Sequence, residues 1–283
     1  MPPTAELDIA HLRGWIGRSR TDAEEVTADL VRRFCATFDE EPGAPLAGEP
    51  APRLIHWCLA PPVALTGALD ADGHPKRGDF LPPVPLPRRM WAGGALAYHD
   101  DIRIGDTVRR TSTIADVSMK EGRTGSLCFV TVQHEVDAGG RRLLNETQDI
   151  VYRGAEAGGP PAKAPTPAPE GLHRMAITPS PPLLFRYSAL TFNAHRIHYD
   201  APYVTQVEGY PGLVVHGPLQ ASLLLRFAAR LYGAPPIAFT FRGQSPAFDT
   251  APLLLNAAPD GDGMKLWTAQ PGGPVAMSAE ARW

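Results

Sequence analysis

Three of the nine histidines in this chain, His195, His198 and His216, fall within one short run between Phe185 and Gly233. Imidazole titrates near neutrality, so it is the side chain best suited to take and return a proton at ordinary pH. Directly after His216 comes Gly217-Pro218. There follows a run in which Leu219, Leu223, Leu224, Phe227, Ala228 and Leu231 recur at helical spacing until Gly233. His216-Gly217 therefore stands at a helix N-terminus, where backbone N–H groups point outward unpaired and the dipole is positive. Proton carriers beside donors for an oxyanion make a candidate catalytic site. The run from His195 to Asp200 also holds metal-ligand residue types, but H-E-x-x-H spacing is absent and no fourth ligand presents itself, so no metal is expected. A packing role for the histidines is the other reading.

The elements around this run set its position. Asp200-Ala201-Pro202-Tyr203 reads as a cap followed by a first-turn proline, which gives Asp200 a structural role beside any chemical one. The central helix is predicted over residues 218–232, followed by strands over 237–242, 247–256, 264–269 and 275–282. Upstream, residues 8–16 suggest a short helix. Thr21-Asp22 suggests the cap of a second, with Val26, Leu30, Phe34 and Phe38 on one face. Residues 41–87 are dense in proline and glycine. Residues 86–94 then place Arg88 and Arg89 among prolines and glycines, where a two-pronged guanidinium suits a phosphate or carboxylate. Strand texture follows over 106–119, 126–136 and 143–152, with turns at 121–125 and 138–140; His134 sits mid-strand and is read as packing. Residues 154–169 are an Ala/Gly/Pro tract, read as a linker.

The run Asn193-Ala194-His195-Arg196-Ile197-His198-Tyr199-Asp200, followed by Val214-Val215-His216-Gly217, resembles the hydratase signature of the MaoC-like, hot-dog-fold thioester hydratases and dehydratases. Their pattern is D-x-N-P-x-H-x-D, then an apolar pair and H-G. The fuller match is similar to the double hot-dog branch, which includes hydroxyacyl-thioester dehydratases type 2 and the mesaconyl-CoA and itaconyl-CoA hydratases. The resemblance implies an α+β double hot-dog, with two antiparallel sheets each wrapping a central helix and paired within one chain. Residues 1–158 would be the first unit, 159–169 the linker and 170–283 the unit with the motif. The two units repeat in architecture and not in residues.

The resemblance also implies the chemistry. Hydrating an α,β-unsaturated thioester needs a base for the attacking water, an acid for the α-carbon and donors for the thioester oxygen. His198 falls on the family histidine and is read as the base. Gly217 supplies the N–H for the oxyanion. Asn193 stands where the family has aspartate and His195 where it has asparagine; an amide can hold water but cannot exchange a proton. The acid is open among His198 itself, Asp200 and His195. His216 and Tyr187 are read as lining or orienting the pocket, and Arg242, Arg226 and Arg230 as contacts for a CoA or carrier-protein arm.

The substrate implied is an acyl-CoA, leaning to a C5 dicarboxylic one such as mesaconyl-C4-CoA or itaconyl-CoA, with Arg88 or Arg89 on the distal carboxylate. No cofactor is expected. A dehydratase acting on 3-hydroxyacyl carrier protein, a thioester hydrolase and a non-catalytic thioester-binding subunit are the alternatives. One site per chain is expected at the seam, with acid/base groups from residues after Arg186 and an acyl wall from residues 81–94.

Composition bounds the rest. The chain has 283 residues, a net charge of −3 and no long basic run, which removes electrostatic support for nucleic-acid binding. Cys35, Cys58 and Cys128 are odd in number without C-x-x-C spacing, so they read as reduced packing residues of a cytoplasmic protein. The N-terminus lacks the pattern of a secretory signal, and no window is apolar enough for a membrane span. Thirty-one prolines are about twice the usual share of roughly 5% and point to long ordered loops. Pairing of hot-dog units implies a homodimer.

Overall fold

The computed structural model describes residues 7–122, 125–154 and 166–283. Most of the linker tract and part of the 121–125 turn lie outside them. Ten strands form one antiparallel sheet: β1 (Ser19–Glu25), β2 (Arg88–Tyr98), β3 (Thr107–Gly122), β4 (Gly125–Ala138), β5 (Arg141–Arg153), β6 (His173–Ile177), β7 (Ala238–Gly243), β8 (Leu253–Asp260), β9 (Gly263–Ala269) and β10 (Val275–Arg282). Their order is β1-β3-β4-β5-β2-β7-β10-β9-β8-β6. The first five strands thus run 1-3-4-5-2 and the second five repeat that order as 6-8-9-10-7. The architectural repeat is in the topology, and the fold is the α+β double hot-dog. The halves join where β2 pairs with β7, from Gly93 opposite Arg242 to Ala97 opposite Ala238.

Among the described residues, five α-helices accompany the sheet: α1 (Ile9–Arg13), α2 (Ala28–Thr37), α3 (Pro181–Leu190), α4 (Ala201–Gln206) and α5 (Gly217–Tyr232). In α5 the predicted stripe is buried, including Leu219, Leu224 and Phe227. Gly233 at φ +88° ends the helix, and its N–H donates to the Ala229 carbonyl. The α2 stripe (Leu30, Val31, Phe34, Cys35) joins the same core as α5, so one apolar cluster spans both halves. Burying each large side chain there contributes roughly 1.5–3 kcal/mol. A second cluster (Leu12, Ile114, Val130, Tyr152 and neighbours) covers the far ends of the long strands β3–β5.

Three expectations need correction. Thr21-Asp22 caps no helix; those residues lie in β1, paired with β3, and the cap is Thr27, whose hydroxyl accepts from Leu30 N–H at 3.1 Å. The alternation in residues 19–25 suits an edge strand, and Thr27 is the better-placed cap. Strand structure in this half starts earlier than 106, because Arg88 opens β2, the strand that joins the halves. The strand predicted from 247 begins only at Leu253, since Asp249 is turned aside to accept from Leu213 N–H at 2.8 Å. No described helix is long and apolar enough to cross a membrane.

Candidate active site

The site begins where α3 ends. Phe192 takes a left-handed φ of +50°, turning the chain so that residues 193–199 run as an irregular strip, with a short 3-10 turn at Arg196–His198, from α3 into α4. Asn193 folds back on this strip, its Oδ1 accepting from His195 N–H at 3.0 Å. The strip is pinned to the chain before α5, since Val214 N–H donates to the Ile197 carbonyl at 2.9 Å.

That pin fixes His198. Its Nδ1 lies 2.7 Å from the Val214 carbonyl, which can only accept, so Nδ1 carries the proton and Nε2 is the basic nitrogen. The ring stacks on His216 with centroids 3.6 Å apart. His216 is held from behind, its Nε2 2.8 Å from the Ser188 hydroxyl. Burial pushes the pKa of His198 down to about 4 and that of His216 well below its usual value. Both rings are therefore neutral at ordinary pH, the state a base must start from.

Gly217 is the first residue of α5, so its N–H has no helical carbonyl to meet, and Pro218 after it has no N–H to compete. A Cβ on Gly217 would meet only Trp91 O at 3.6 Å and Met277 Cε at 3.8 Å, ordinary contacts. His198, Gly217, Asn193 and His195 all line one cavity of about 1430 Å³. Residues of the first half, among them Trp57, Leu81, Arg89 and Trp91, form the opposite wall. The volume exceeds a drug-sized pocket of roughly 300–1,000 Å³ and suits a long arm ending in an acyl group.

The other expected residues divide. Arg88 and Arg89 both line the cleft. Arg88 is turned to Glu208, donating to its carbonyl at 3.3 Å with the carboxylate 3.6 Å away. Arg89 lies beside the Tyr152 hydroxyl and is close enough to His74 and His195 to disfavour their protonation. Asp200 does not line the cavity. It caps α4 through Tyr203 N–H at 3.1 Å and pairs with Arg196 at 2.8 Å, contacts that hold its carboxyl below the usual range. Tyr187 and His216 lie behind the wall. Tyr187 is buried and packed edge-on against His216, and burial raises its phenol pKa. Arg242 is exposed, next to the cavity-lining Gly243. Arg226 and Arg230 both pair with Glu40, tying α5 to the first half. His134 has both ring nitrogens matched, to Ser112 at 2.8 Å and Gln148 at 3.1 Å.

Two groups went unread in the sequence. Deep in the cavity, Glu146 is buried and held by His56 Nε2 at 3.0 Å and Trp57 Nε1 at 2.9 Å. Burial opposes its charge, but the hydrogen bond and charge of His56 outweigh that and keep its pKa low. Nearer the histidines are Asp72 and His74, from the run Asp70-Ala71-Asp72-Gly73-His74-Pro75. Titratable residues so dense in a Pro/Gly stretch were the available signal. His74 Nδ1 lies 2.9 Å from Asp72 Oδ2, and the His74 ring lies against His195 with centroids 4.1 Å apart. One ligand-type atom from each of Asp72, His74 and His195 falls within 4.8 Å of the others. The hydrogen bond between Asp72 and His74 already satisfies that pair without an ion.

Gly73 makes this approach feasible. It has φ +91°, and a Cβ there would lie 1.8 Å from the Ala194 carbonyl oxygen. Gly73→Ala should therefore push the 72–74 turn off the histidine strip. The expected result is a folded protein with turnover lowered at least about tenfold, because misplacing groups by about 1 Å costs up to 10²-fold. Steady-state kinetics with a melting curve check it.

The chain matches the family model described as hydroxyacyl-thioester dehydratase type 2 over residues 54–249. It is 46% identical over 277 residues to the mesaconyl-C(4)-CoA hydratase of Chloroflexus aurantiacus, covering 96% of this chain and 98% of that one. Among solved structures, a MaoC-like dehydratase from Phytophthora capsici superposes with a TM-score of 0.70 at 13% identity, over 98% of this chain and 99% of the other. A Mycobacterium tuberculosis protein described as having a double hot-dog fold gives 0.55 at 13% identity, over 94% and 95%.

Proposed function

Because the chain belongs to the hydroxyacyl-thioester dehydratase type 2 family, we propose that it reversibly hydrates an α,β-unsaturated acyl-CoA, with mesaconyl-C4-CoA as substrate. It is an enzyme of the hydro-lyase class. The observation that carries the reading is His198, with Nδ1 committed to Val214 and Nε2 left basic, on the same cleft as the unpaired N–H of Gly217. As water adds to the β-carbon its proton passes to His198 Nε2. The electrons of the double bond move to the thioester oxygen, which the Gly217 N–H holds where solvent is excluded. His216 and Ser188 hold the imidazole in place behind. Asn193 positions the strip and the water without exchanging a proton.

The substrate assignment rests on the Chloroflexus relative, and the distal carboxylate needs a cation. Arg89 is that cation; Arg88, turned to Glu208, serves the wall. A hydrogen bond between charged groups contributes about 1.5–3 kcal/mol. Arg89→Met should therefore raise KM for mesaconyl-C4-CoA roughly tenfold to a hundredfold more than for crotonyl-CoA, while Arg88→Met affects both alike. The assay is loss of ultraviolet absorbance of the enoyl-thioester across a panel including itaconyl-CoA and crotonyl carrier protein. Faster turnover of the carrier-protein substrate would replace the CoA reading with the carrier-protein dehydratase, and stoichiometric release of free CoA would replace hydration with hydrolysis. Buried, unpaired Cys35, Cys58 and Cys128 support a reducing compartment, the cytoplasm. A homodimer belongs to the same reading, from the way hot-dog units pair.

A further inference from the structure

Hydration has two proton steps, and the motif in this chain supplies one clear exchanging group. His198 holds a proton only in passing: it is buried, stacked on a neutral ring, and its Nδ1 is bonded to a backbone carbonyl and not to a carboxylate. The amide of Asn193 offers no second site. The cleft wall offers a partner from outside the motif.

The first half reaches in at that point. Asp72 accepts from both the backbone N–H and Nδ1 of His74, each at 2.9 Å, so the ring is locked with Nδ1 protonated and Nε2 bare. Burial disfavours charge on Asp72, but the two hydrogen bonds it accepts from His74 outweigh that and keep the carboxylate ionised. The turn is clasped to the histidine strip: Arg196 N–H donates to the Asp72 carbonyl at 2.9 Å and the Arg196 guanidinium to the Ala71 carbonyl at 3.0 Å. Asp72, His74, His195 and His198 all line the cleft. Their rings form a row, with centroids 4.1 Å apart from His74 to His195 and 5.4 Å from His195 to His198. The Asp72 carboxylate is bonded to His74 and also has an oxygen within 4.8 Å of a ring nitrogen of His195.

We propose that Asp72 and His74 are the second acid/base unit of this site: His74 receives, by way of His195, the proton that His198 takes from water, and delivers it to the α-carbon. This rests on the hydratase reading above. Every ring is neutral at the start. Water oxygen bonds to the β-carbon, one of its O–H bonds breaks, and the proton goes to His198 Nε2. The double-bond electrons form the enolate of the thioester, held by the Gly217 N–H. No hydrogen bond joins the rings directly, so water in the cleft carries the proton past His195 to His74 Nε2, where the Asp72 carboxylate balances the imidazolium. It then bonds to the α-carbon as the enolate collapses. Every ring is neutral again, and one water has been added. The carboxylate that Asn193 lacks is thus supplied from the other half of the molecule.

The test uses the full-length chain and the substitutions Asp72→Asn, Asp72→Glu and His74→Asn, with mesaconyl-C4-CoA and crotonyl-CoA. The expected result for His74→Asn is kcat about 10²-fold lower with KM within about threefold of the parent, in the range for losing one acid/base group. Asp72→Asn should lose about tenfold or more, and Asp72→Glu should recover part of that loss. Activity should be unmoved by EDTA. A folded His74→Asn enzyme within about threefold of the parent kcat would overturn the assignment. So would activity lost to EDTA and restored by zinc, which would make the residues a metal site. If the parent hydrates no thioester on the panel, the hydratase reading fails by itself. The dyad is still tested, by the imidazole nitrogen-15 NMR spectrum. His74 should show Nδ1–H with bare Nε2, lost in Asp72→Asn; an Nε2–H tautomer in the parent overturns it.

Discussion

His198→Ala loses at least about 10²-fold in kcat, the low end for removing a general base. That factor corresponds to about 2.7 kcal/mol of barrier. The expectation follows from what the ring does in place. Its Nδ1–H is spent on the Val214 carbonyl, so Nε2 is the nitrogen able to take a proton from water. Its face rests on His216, which Ser188 in turn holds. Alanine keeps none of this and leaves the His216 ring uncovered, so the variant should also melt lower. A circular-dichroism melt separates a folded, inactive protein from an unfolded one. KM should move little, because the acyl-CoA arm is gripped by the rest of the cleft. Near-normal turnover in a folded His198→Ala would remove the base assignment, and with it the proton path through His195 and His74.

The part of this site that could be read in the sequence is the part that is local in the chain. The start of α5 was legible to within a residue, because Gly217-Pro218 followed by an apolar stripe is a pattern a helix N-terminus imposes on neighbouring residues. Asp200 was legible as a cap for the same reason, and both its oxygens are taken by such contacts. What failed depended on partners far away in sequence. Arg226 and Arg230 looked like free cations for phosphate, but Glu40, 186 and 190 residues distant, pairs with both. The strand texture read from residue 106 onward left Gly93 and Gly94 outside any strand. In β2, a Cβ on Gly93 would lie 2.7 Å from the Phe241 carbonyl oxygen of β7, and one on Gly94 2.8 Å from the Thr147 carbonyl oxygen of β5. Asp72 and His74 gave no periodic signal, since a loop places them by clasping residues 194–196 across the fold.

Separating the halves should abolish activity. Residues 1–158 and 165–283, expressed alone, are expected to turn over no enoyl-CoA above the uncatalysed rate, and the mixture to recover part of the intact activity. The sheet is continuous through β2 and β7, so a fragment on either side is left with an open edge of unpaired N–H and C=O groups. The apolar core is shared as well, with Phe34 and Leu96 in one cluster with Leu224 and Phe239. Each fragment alone would expose that surface to water. Glu40 with Arg226 and Arg230 adds an ionic tie across the seam. The site divides along the same line, with His198 and Gly217 on one wall and His74, Trp57 and Arg89 on the other. Both walls are needed to exclude water, which strengthens the contact between the thioester oxygen and its donor. Recovery on mixing tests reassembly of the β2–β7 pair, and gel filtration should show the fragments moving together. A fragment of residues 165–283 that matched the intact chain would show that the second half holds a complete site, and the first-half wall would then have no part in the chemistry.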